Sequence, residues 1–408
     1  MEKENRKVTR KKISGCRICK SDNFIEVIKL ENMPFTDEFI KKENFGKEYV
    51  QNIEIAVCRN CGSTQNLYDT DMKEYYSEYT YSVQSSGFAI NFMRILAERI
   101  NKDYFKGKKD LKIIEIGSGT GEQLLEFKKL GYDILGVEPS EQLSEYANDT
   151  GVKTITAFFD ENIFDKINED FKKVDAVITS YTFDHIPYPT EALQVIRKIL
   201  KDDGALIIEV HDLALIEKRN EFCLFEHEHY TYLNEETITS LLNANGFEVL
   251  TFDILNSSEK RANSLLVVAK KNEEEKDFDI NVDNEIEKLK DLNLNIQASI
   301  KKIDEWIFSN KNLNIVAYGA GGRGVMTIAA LKNSGLIKYM VDKNPKSKDI
   351  FAPKTHIPVY DIEMLNFKRA DKIIVFSFGY YNEIVKELGE KFGYSSEQFV
   401  SLLELLKT

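Results

Sequence analysis

Two glycine-rich turns constrain the fold of this chain more than any other feature of its sequence. The apolar segment 112–116 leads into the turn 117–121 (Gly-Ser-Gly-Thr-Gly), which is followed by a helical pattern. A second apolar segment, 313–318, leads into the turn 319–324 (Gly-Ala-Gly-Gly-Arg-Gly). Glycines that turn a strand into a helix let backbone approach a ligand closely. The sequence therefore predicts two nucleotide-binding-like α/β units.

The remaining apolar segments divide the chain of 408 residues into three blocks. In the middle block, strand candidates alternate with amphipathic stretches, which predicts a mostly parallel, doubly wound sheet. These candidates are 112–116, 133–137, 176–179, 205–210 and 265–269. The first block carries strand candidates at 24–30 and 53–57, and the last carries them at 313–318, 339–341 and 372–378.

We expect an α/β protein with a small N-terminal metal-binding module at 1–72, a central domain at 73–272 and a smaller Rossmann-like domain at 283–408. The acidic, polar segment 270–283 is interpreted as a linker. After it, apolar residues recur at helical spacing and predict a helix that packs on a neighbouring domain. They are Ile286, Leu289, Ile296, Ile300, Ile303 and Ile307.

The charge balance limits the kinds of partner that the chain is expected to bind. The chain has 67 acidic and 55 basic residues and a formal charge of −12, so its surface repels a nucleic acid on average. No apolar run approaches the ~20 residues of a membrane span, and no apolar segment follows the basic start. We therefore expect a cytoplasmic protein with a small-molecule substrate and no membrane partner. The basic stretch 3–20 is interpreted as a solvated tail, and the oligomeric state is left open.

Four of the five cysteines form two Cys-x-x-Cys pairs, Cys16 with Cys19 and Cys58 with Cys61. Two such pairs can direct four thiolates at one tetrahedral centre, for which Zn²⁺ is the best match. Four sulfur ligands leave no position for water, so the zinc is expected to be structural. The alternative is two unrelated buried pairs. Cys223 stands alone and is expected to be a core thiol.

The first glycine turn is surrounded by acids placed for a nucleoside. Glu138 ends the next strand, where a carboxylate can accept hydrogen bonds from both ribose hydroxyls. Asp160 follows the third strand, where an adenine amine could be met. The Gly-x-Gly-x-Gly spacing favours S-adenosylmethionine over NAD, whereas a purely structural turn would need neither acid. The residues assigned to the cofactor are Glu115, Gly117, Gly119, Gly121, Glu138, Asp160 and Ser180.

The second turn fits Gly-x-Gly-x-x-Gly, with Asp342 at the end of the following strand. Arg323 lies inside the loop, where its guanidinium could clamp a diphosphate together with the amides of a helix N-terminus. A substrate-phosphate or vestigial role for Gly321 and Arg323 is favoured. A bound dinucleotide and simple packing glycines are the alternatives.

Residues 226–232 concentrate acids, bases and phenols, which favours proton transfer. A surface loop, or a metal site formed by His227 and His229, is an alternative. His185 follows the strand 176–179, at the sheet edge where doubly wound folds bind ligands. Tyrosines at 75–81, among them Tyr79 and Tyr81, could form a lid that excludes water.

Together these motifs resemble the three-domain sugar C-methyltransferases that act on nucleotide-linked keto-deoxysugars. The resemblance covers nearly the whole chain and includes the four cysteines, the first glycine turn, the Asp-His-Ile tripeptide at 184–186 and the His-Glu-His tract at 227–229. It further includes the segments 341–345 and 355–358. The resemblance implies a class I methyltransferase domain in the middle of the chain.

The resemblance also implies roles for individual residues. His229 is the base that removes a proton beside the keto group, and the resulting enediolate attacks the sulfonium methyl group. Glu228 and His185 orient the sugar, and Tyr79 or Tyr81 lines the site. The residues assigned to substrate binding are Glu226, His227, Tyr232, Gly321 and Arg323.

The chain departs from the family pattern at two positions. Glu226 stands where family members commonly have tyrosine, and Arg323 stands where they usually have lysine. These departures leave the substrate open. Methylation of oxygen or nitrogen is one alternative, and a non-enzymatic zinc-ribbon module that binds nucleic acid is another.

Overall fold

The computed structural model describes residues 9–72, 75–76, 87–256, 259–343, 345 and 347–407. Within these ranges the chain forms sheets of seven, six and four strands and one two-stranded sheet. No helix in the described ranges is both long and apolar enough to cross a membrane.

The N-terminal unit is antiparallel. Its strands are β1 (Arg10–Lys12), β2 (Phe24–Pro34), β3 (Val50–Cys58), β4 (Thr64–Asn66) and β5 (Tyr68–Thr70), with a 3-10 turn at Lys42–Asn44. β1 pairs with β5, and the larger sheet has the order β11-β4-β3-β2. The added strand β11 (Thr231–Tyr232) comes from the middle of the chain and pairs Thr231 with Gln65. A segment of the central block thus completes the N-terminal sheet.

The central sheet has the order β12-β13-β10-β9-β6-β7-β8. Its strands are β6 (Lys112–Ile116), β7 (Asp133–Glu138), β8 (Thr154–Thr156), β9 (Val174–Ser180), β10 (Leu200–Val210), β12 (Phe247–Phe252) and β13 (Leu265–Lys271). β6 to β10 run parallel to one another, and β13 runs antiparallel between β10 and β12. The carboxyl ends of β6, β7, β9 and β10 therefore meet at one edge, where such sheets bind ligands.

Helices and short turns connect these strands. The helices are Gly87–Tyr104, Glu122–Lys129, Glu141–Asp149, Ile163–Lys166, Pro189–Ile199, Leu213–Arg219 and Glu235–Asn243, and the 3-10 turns are Glu169–Phe171, Phe183–His185 and Phe222–Leu224. The strands that the sequence pattern missed, β8 and β12, are the two edge strands of this sheet. Edge strands bury less of their surface, so their apolar pattern is weaker.

The C-terminal unit is a second, smaller doubly wound sheet with the order β16-β17-β15-β14-β18-β19. Its strands are β14 (Ile315–Tyr318), β15 (Ile337–Asp342), β16 (Ile350–Phe351), β17 (Pro358–Asp361), β18 (Lys372–Val375) and β19 (Phe399–Ser401). The helices are Gly322–Ala330, Met364–Phe367, Tyr381–Phe392 and Leu402–Leu406, with 3-10 turns at Ser334–Leu336, Phe378–Tyr380 and Ser396–Gln398. The strand predicted at 372–378 ends at Val375.

The long helix Val282–Ser309 joins the N-terminal and C-terminal units. Its buried side chains Leu289 and Ile296 belong to the same hydrophobic cluster as Ile28 of β2 and Met326 of the C-terminal unit. The predicted packing on a neighbouring domain is thus confirmed. Replacing such a buried leucine by alanine costs about 2–5 kcal/mol of unfolding free energy. Between β13 and this helix, residues 272–281 have no regular structure, as expected of a linker.

Candidate active site

Four cysteine sulfur atoms converge beside the N-terminal sheet. Cys16 and Cys19 precede β2, Cys58 ends β3, and Cys61 lies in the turn to β4. The Sγ atoms of Cys16 and Cys61 are 3.6 Å apart, those of Cys19 and Cys58 are 3.5 Å apart, and all four lie within 4.8 Å of one another. Thiolates bound tetrahedrally to zinc at about 2.3 Å are about 3.8 Å apart. The spacing fits a structural zinc ion with four sulfur ligands.

Arg17 connects this centre to the central sheet. Its side chain is fully buried, and its guanidinium donates to the carbonyl oxygens of Asn66 and Tyr68 at 3.0 Å and of Pro187 at 3.1 Å. Pro187 belongs to the loop after β9, so the guanidinium fixes the cysteine loop against that loop. The expectation that residues 3–20 form a solvated tail is therefore wrong for Arg17, because its guanidinium donates to buried carbonyl groups that are distant in the sequence.

The first glycine turn adopts backbone angles and close contacts that disfavour any residue with a side chain. Gly117 has φ +70°, and a Cβ atom there would lie 2.2 Å from Oγ1 of Thr182. Gly121 has φ +90° and begins the helix Glu122–Lys129 with no side-chain cap. Free amides at a helix N-terminus favour a negative or polar ligand group. The turn is thus shaped for close approach of a ligand.

Acidic and hydroxyl side chains surround this turn. The Glu138 carboxylate accepts hydrogen bonds from the amides of Gly119 and Ser140, both at 2.8 Å. Burial, followed by the nearby charge of Glu122, raises the pKa of Glu115 well above its usual range. Oε2 of Glu115 and Oγ of Ser180 are buried and have no hydrogen-bond partner within the described ranges. Unpaired buried groups of this kind indicate a missing ligand.

A cavity of about 1450 Å³ extends from this turn to the second one. Six of the seven residues assigned to the cofactor line it, and Gly121 instead faces Val152. Thr36 and Asp69 of the N-terminal unit also line the cavity, as do Gly319, Gly321 and Arg323 of the C-terminal unit. All three units therefore contribute to one site.

Three imidazoles meet at the middle of this cavity. The ring centroid of His229 lies 4.6 Å from that of His185 and 4.9 Å from that of His211. Nδ1 of His229 donates to the carbonyl of Leu224 at 2.8 Å, which leaves the Nε2 lone pair free to accept a proton. Burial lowers the pKa of His185 and of His211 to about 4.

A buried carboxylate supports these imidazoles. Oδ2 of Asp184 accepts a hydrogen bond from Nδ1 of His211 at 2.9 Å. Burial opposes ionisation of Asp184, but the hydrogen bond from His211 and the neighbouring imidazoles outweigh it and hold its pKa below the usual range. Sequence reasoning missed Asp184 and His211 as site residues. His211 directly follows β10, so the argument that selected His185 could have found it.

Glu226 and Glu228 also line the cavity, and their surroundings shift their pKa values in opposite directions. Oε1 of Glu228 accepts hydrogen bonds from Oγ1 of Thr36 at 3.0 Å and from the Tyr75 hydroxyl at 3.4 Å. Burial and the charge of Glu228 raise the pKa of Glu226 well above its usual range. Burial opposes ionisation of Glu228, but the adjacent His229 and His185 outweigh it and lower its pKa.

Two residues assigned to substrate binding lie outside the cavity. Nε2 of His227 donates to the carbonyl of Met33 at 2.9 Å, and its ring meets Phe35 and Tyr49 edge-on. The Tyr232 hydroxyl accepts from the backbone amide of Glu226 at 3.2 Å. The expectation that His227 and Tyr232 face the ligand is therefore corrected. Because His227 and His229 face different surroundings, the alternative metal pair is not formed.

The tyrosine-rich segment is described in part. Tyr79 and Tyr81, assigned to the active site, lie outside the described residues. The Tyr76 hydroxyl lies 2.6 Å from Nδ1 of His185, and its ring lines the cavity. Among the described residues of the predicted aromatic lid, Tyr75 and Tyr76, Tyr76 thus contacts a site imidazole.

The second glycine turn presents guanidinium groups to the cavity. Arg323 lies 3.6 Å from Oε2 of Glu221, and Arg219 lies 3.1 Å from Oε1 of the same carboxylate. Both guanidinium groups lie over the Phe378 ring, at 5.0 and 5.9 Å. Gly321 begins the helix Gly322–Ala330 without a side-chain cap. This end of the cavity carries two arginines that share the carboxylate of Glu221, together with a helix N-terminus.

Three family profiles match successive parts of the chain. Residues 16–76 match the family described as "Putative zinc binding domain", and residues 89–251 match "Methyltransferase domain". Residues 252–403 match "C-methyltransferase C-terminal domain". The three matches follow the order of the three large sheets.

Individual proteins are similar over different shares of the chain. The C-methyltransferase NovU of Streptomyces niveus is 25% identical over 392 residues, which cover 91% of each chain. An uncharacterized methyltransferase of Staphylococcus carnosus (strain TM300) is 26% identical over 153 residues, or 34% of this chain and 70% of that one. The PH0226 protein of Pyrococcus horikoshii OT3 is a solved structure with 17% identity and a TM-score of 0.38, covering 48% of this chain and 98% of its own.

Proposed function

Because the chain belongs to the family of three-domain S-adenosylmethionine-dependent C-methyltransferases, we propose that it methylates a carbon atom of a nucleotide-linked keto-deoxysugar. S-Adenosylmethionine supplies the electrophilic methyl group, and the structural zinc holds the N-terminal module together. The proposal concerns the acceptor, the base and the residues that bind each ligand.

One observation carries the proposal: a single cavity contains the first glycine turn, the imidazoles and the arginines of the second turn. Its volume of about 1450 Å³ exceeds the roughly 300–1,000 Å³ that one drug-sized ligand occupies. A methyl donor and a nucleotide-linked sugar can therefore be accommodated together. Methyl transfer requires the donor and acceptor atoms to be held side by side.

We assign S-adenosylmethionine to the end of the cavity that the first glycine turn forms. The amides of this turn and the acids Glu115, Glu138 and Asp160 would hold the donor, with Ser180 as an additional polar contact. Each oxygen of Glu138 accepts one backbone amide and keeps a further lone pair for a ribose hydroxyl.

Proton removal is assigned to His229. Its Nε2 accepts the proton from the carbon beside the keto group, and the electron pair of the broken C–H bond forms the enediolate. With S-adenosylmethionine bound, that carbon would form the new bond to the methyl group while the sulfur–methyl bond breaks and S-adenosylhomocysteine leaves. Glu228 and His185 are assigned to orienting the sugar, and Tyr79 or Tyr81 to lining the site.

The diphosphate of the acceptor is assigned to the second turn. Its charge complements Arg323 and Arg219, which share the single carboxylate of Glu221. The uncapped helix that begins after Gly321 adds backbone amides to the same end. The Glu226 carboxyl, whose pKa is raised by burial, lies between this end and His229, its Oε2 being 4.0 Å from Nε2, and in its protonated form it would donate a hydrogen bond to a sugar oxygen.

The test is product analysis with a panel of nucleotide-linked keto-sugars and ¹³C-methyl-labelled S-adenosylmethionine. Mass spectrometry identifies the acceptor, and NMR locates the new methyl group. We expect a methyl group bonded to carbon next to the carbonyl. A methyl group on oxygen or nitrogen would contradict the proposed acceptor atom, and no product from any sugar would contradict the substrate class. RNA binding that weakens steeply with salt would favour the nucleic-acid alternative.

A further inference from the structure

Asp184, His211 and His229 form a three-residue group with the donor chemistry of a metal site. One side-chain oxygen or nitrogen atom of each residue lies within 4.8 Å of those of the other two. Two imidazoles and one carboxylate are a common ligand set for divalent transition metals. We propose that these three residues bind a divalent transition-metal ion, separate from the zinc held by the four cysteines.

The distances within the group suit direct coordination. Nδ1 of His211 and Oδ2 of Asp184 are 2.9 Å apart. Two ligand atoms at about 2.1 Å from an ion are about 3.0 Å apart at a right angle and about 3.4 Å apart at the tetrahedral angle. An ion bound by both atoms replaces the proton that they share, and His211 then carries its single proton on Nε2.

The surrounding structure fixes all three ligands. His229 donates its Nδ1 proton to the Leu224 carbonyl at 2.8 Å, an outer contact that metal-bound histidines typically make, and this leaves Nε2 to coordinate. Asp184 lies in the 3-10 turn Phe183–His185, and its carbonyl accepts the amide of Tyr230 at 2.8 Å. His211 follows the last residue of β10. The ligands therefore come from elements that the sheet holds in place.

A second, independent observation points to an absent partner. Oδ1 of Asp184 is buried and has no hydrogen-bond partner within the described ranges, and Nε2 of His185 lies 4.0 Å away. The side chain of Asp184 is only 4% exposed. An ionised oxygen left without a partner in the protein interior is costly, and a cation beside this carboxylate would remove the cost.

The proposed ion would keep open coordination positions. Three protein ligands do not complete the shell of a transition metal, and His211 and His229 both line the cavity. An ion there takes the Nε2 lone pair of His229. The ion and the proton transfer proposed for His229 therefore compete for one atom, so the metal-bound protein cannot use this base.

The experiment is a titration with Co²⁺ of full-length protein whose cysteine site is already loaded with zinc. We expect one further Co²⁺ per chain, with the visible spectrum of nitrogen and oxygen ligands and no thiolate charge-transfer band. Asp184→Asn and His211→Gln should each weaken this second binding at least tenfold. His185→Gln is the matched control, since His185 lies in the same imidazole cluster but outside the ligand group, and it should retain binding.

Absence of a second Co²⁺, or its full retention in both ligand variants with unchanged zinc content and melting temperature, would overturn the proposal. A wild-type measurement decides the case even where a variant fails to fold. Added Zn²⁺ should shift the imidazole nitrogen resonances of His211 and His229 and leave that of His227 unchanged. Equal shifts at all three, or at none, would contradict the site. Neither measurement depends on the sugar substrate, so failure of the proposed function would not affect the result.

Discussion

The two glycine turns share a backbone design and differ in the charges around it. In each, the acid that ends the second strand of the unit accepts an amide of the turn: Glu138 binds Gly119 at 2.8 Å, and Asp342 binds Ala320 at 2.9 Å. Both following helices begin without a side-chain cap. Carboxylates surround the first turn, whereas guanidinium groups reach the second. The backbone thus provides a ligand-binding corner, and side-chain charge selects the ligand.

The largest expected effect comes from replacing His229, which lies in the cavity between the two glycine turns. His229→Asn keeps a donor for the Leu224 carbonyl but removes the lone pair that accepts the proton. Turnover should fall by roughly 10²–10⁴-fold, the usual contribution of a general base. Titration calorimetry should give unchanged affinities for S-adenosylmethionine and for a nucleoside diphosphate. Undiminished turnover by the folded variant would transfer the base role to another residue.

Adding one methyl group to a glycine should have different effects at the two turns. Gly117→Ala places Cβ at φ +70° and 2.2 Å from Oγ1 of Thr182, so affinity for S-adenosylmethionine should fall roughly 100-fold. The control is Gly321→Ala, because no atom lies within 4 Å of the added Cβ there. Calorimetry should show unchanged affinity for the methyl donor in the control. Equal losses in both variants would remove the distinction between the turns.

Loss of a guanidinium should act only at the second turn. Arg323→Gln should raise the KM for the nucleotide-linked sugar roughly 10- to 100-fold, since a hydrogen bond to a charged group contributes about 1.5–3 kcal/mol. Affinity for S-adenosylmethionine should not change. Arg219→Gln provides a second measurement at the same carboxylate, Glu221. If both variants keep the wild-type KM, the diphosphate binds elsewhere.

The smallest expected effect comes from replacing the acid that accepts an amide of each turn, Glu138 or Asp342. Glu138→Gln removes the charge but keeps one accepting oxygen, so affinity for S-adenosylmethionine should fall about tenfold, or about 1.4 kcal/mol. Asp342→Asn changes the equivalent acid of the second turn and should leave this affinity unchanged. Both affinities can be measured by calorimetry on the zinc-loaded protein. A loss in the Asp342 variant instead would exchange the roles assigned to the two turns.

Local sequence patterns predicted the parts of the site that depend on local structure. The segment Lys112–Ile116 forms β6 with the predicted bounds, and Glu138 ends β7 as expected, because a buried parallel strand requires a continuous apolar run. The spacing of the two Cys-x-x-Cys pairs predicted that their four sulfur atoms converge, because a metal of fixed geometry can join them in few ways. Cys223 is fully buried in the core, as expected of a lone thiol.

Features that depend on distant contacts could not be predicted in this way. His227 lies two residues before His229, the proposed base, yet it faces Met33 of the N-terminal sheet, a contact between residues far apart in sequence. The same holds for Arg17, whose carbonyl partners lie on β4, β5 and the loop after β9. Periodicity indicates that a side chain is buried, but it does not indicate which unit buries it.

The short strand β11 has a consequence for how the enzyme can be divided. It begins two residues after His229, and its ladder partners, Gln65 and Thr64, lie just beyond Cys61. Only a few peptide units, through the pairing of β11 with β4, therefore connect the His229 imidazole to the cysteine centre. The structural zinc would thus help to position the imidazole that we propose as the base. Removing the first module would therefore displace His229, the proposed base, as well as shorten the protein.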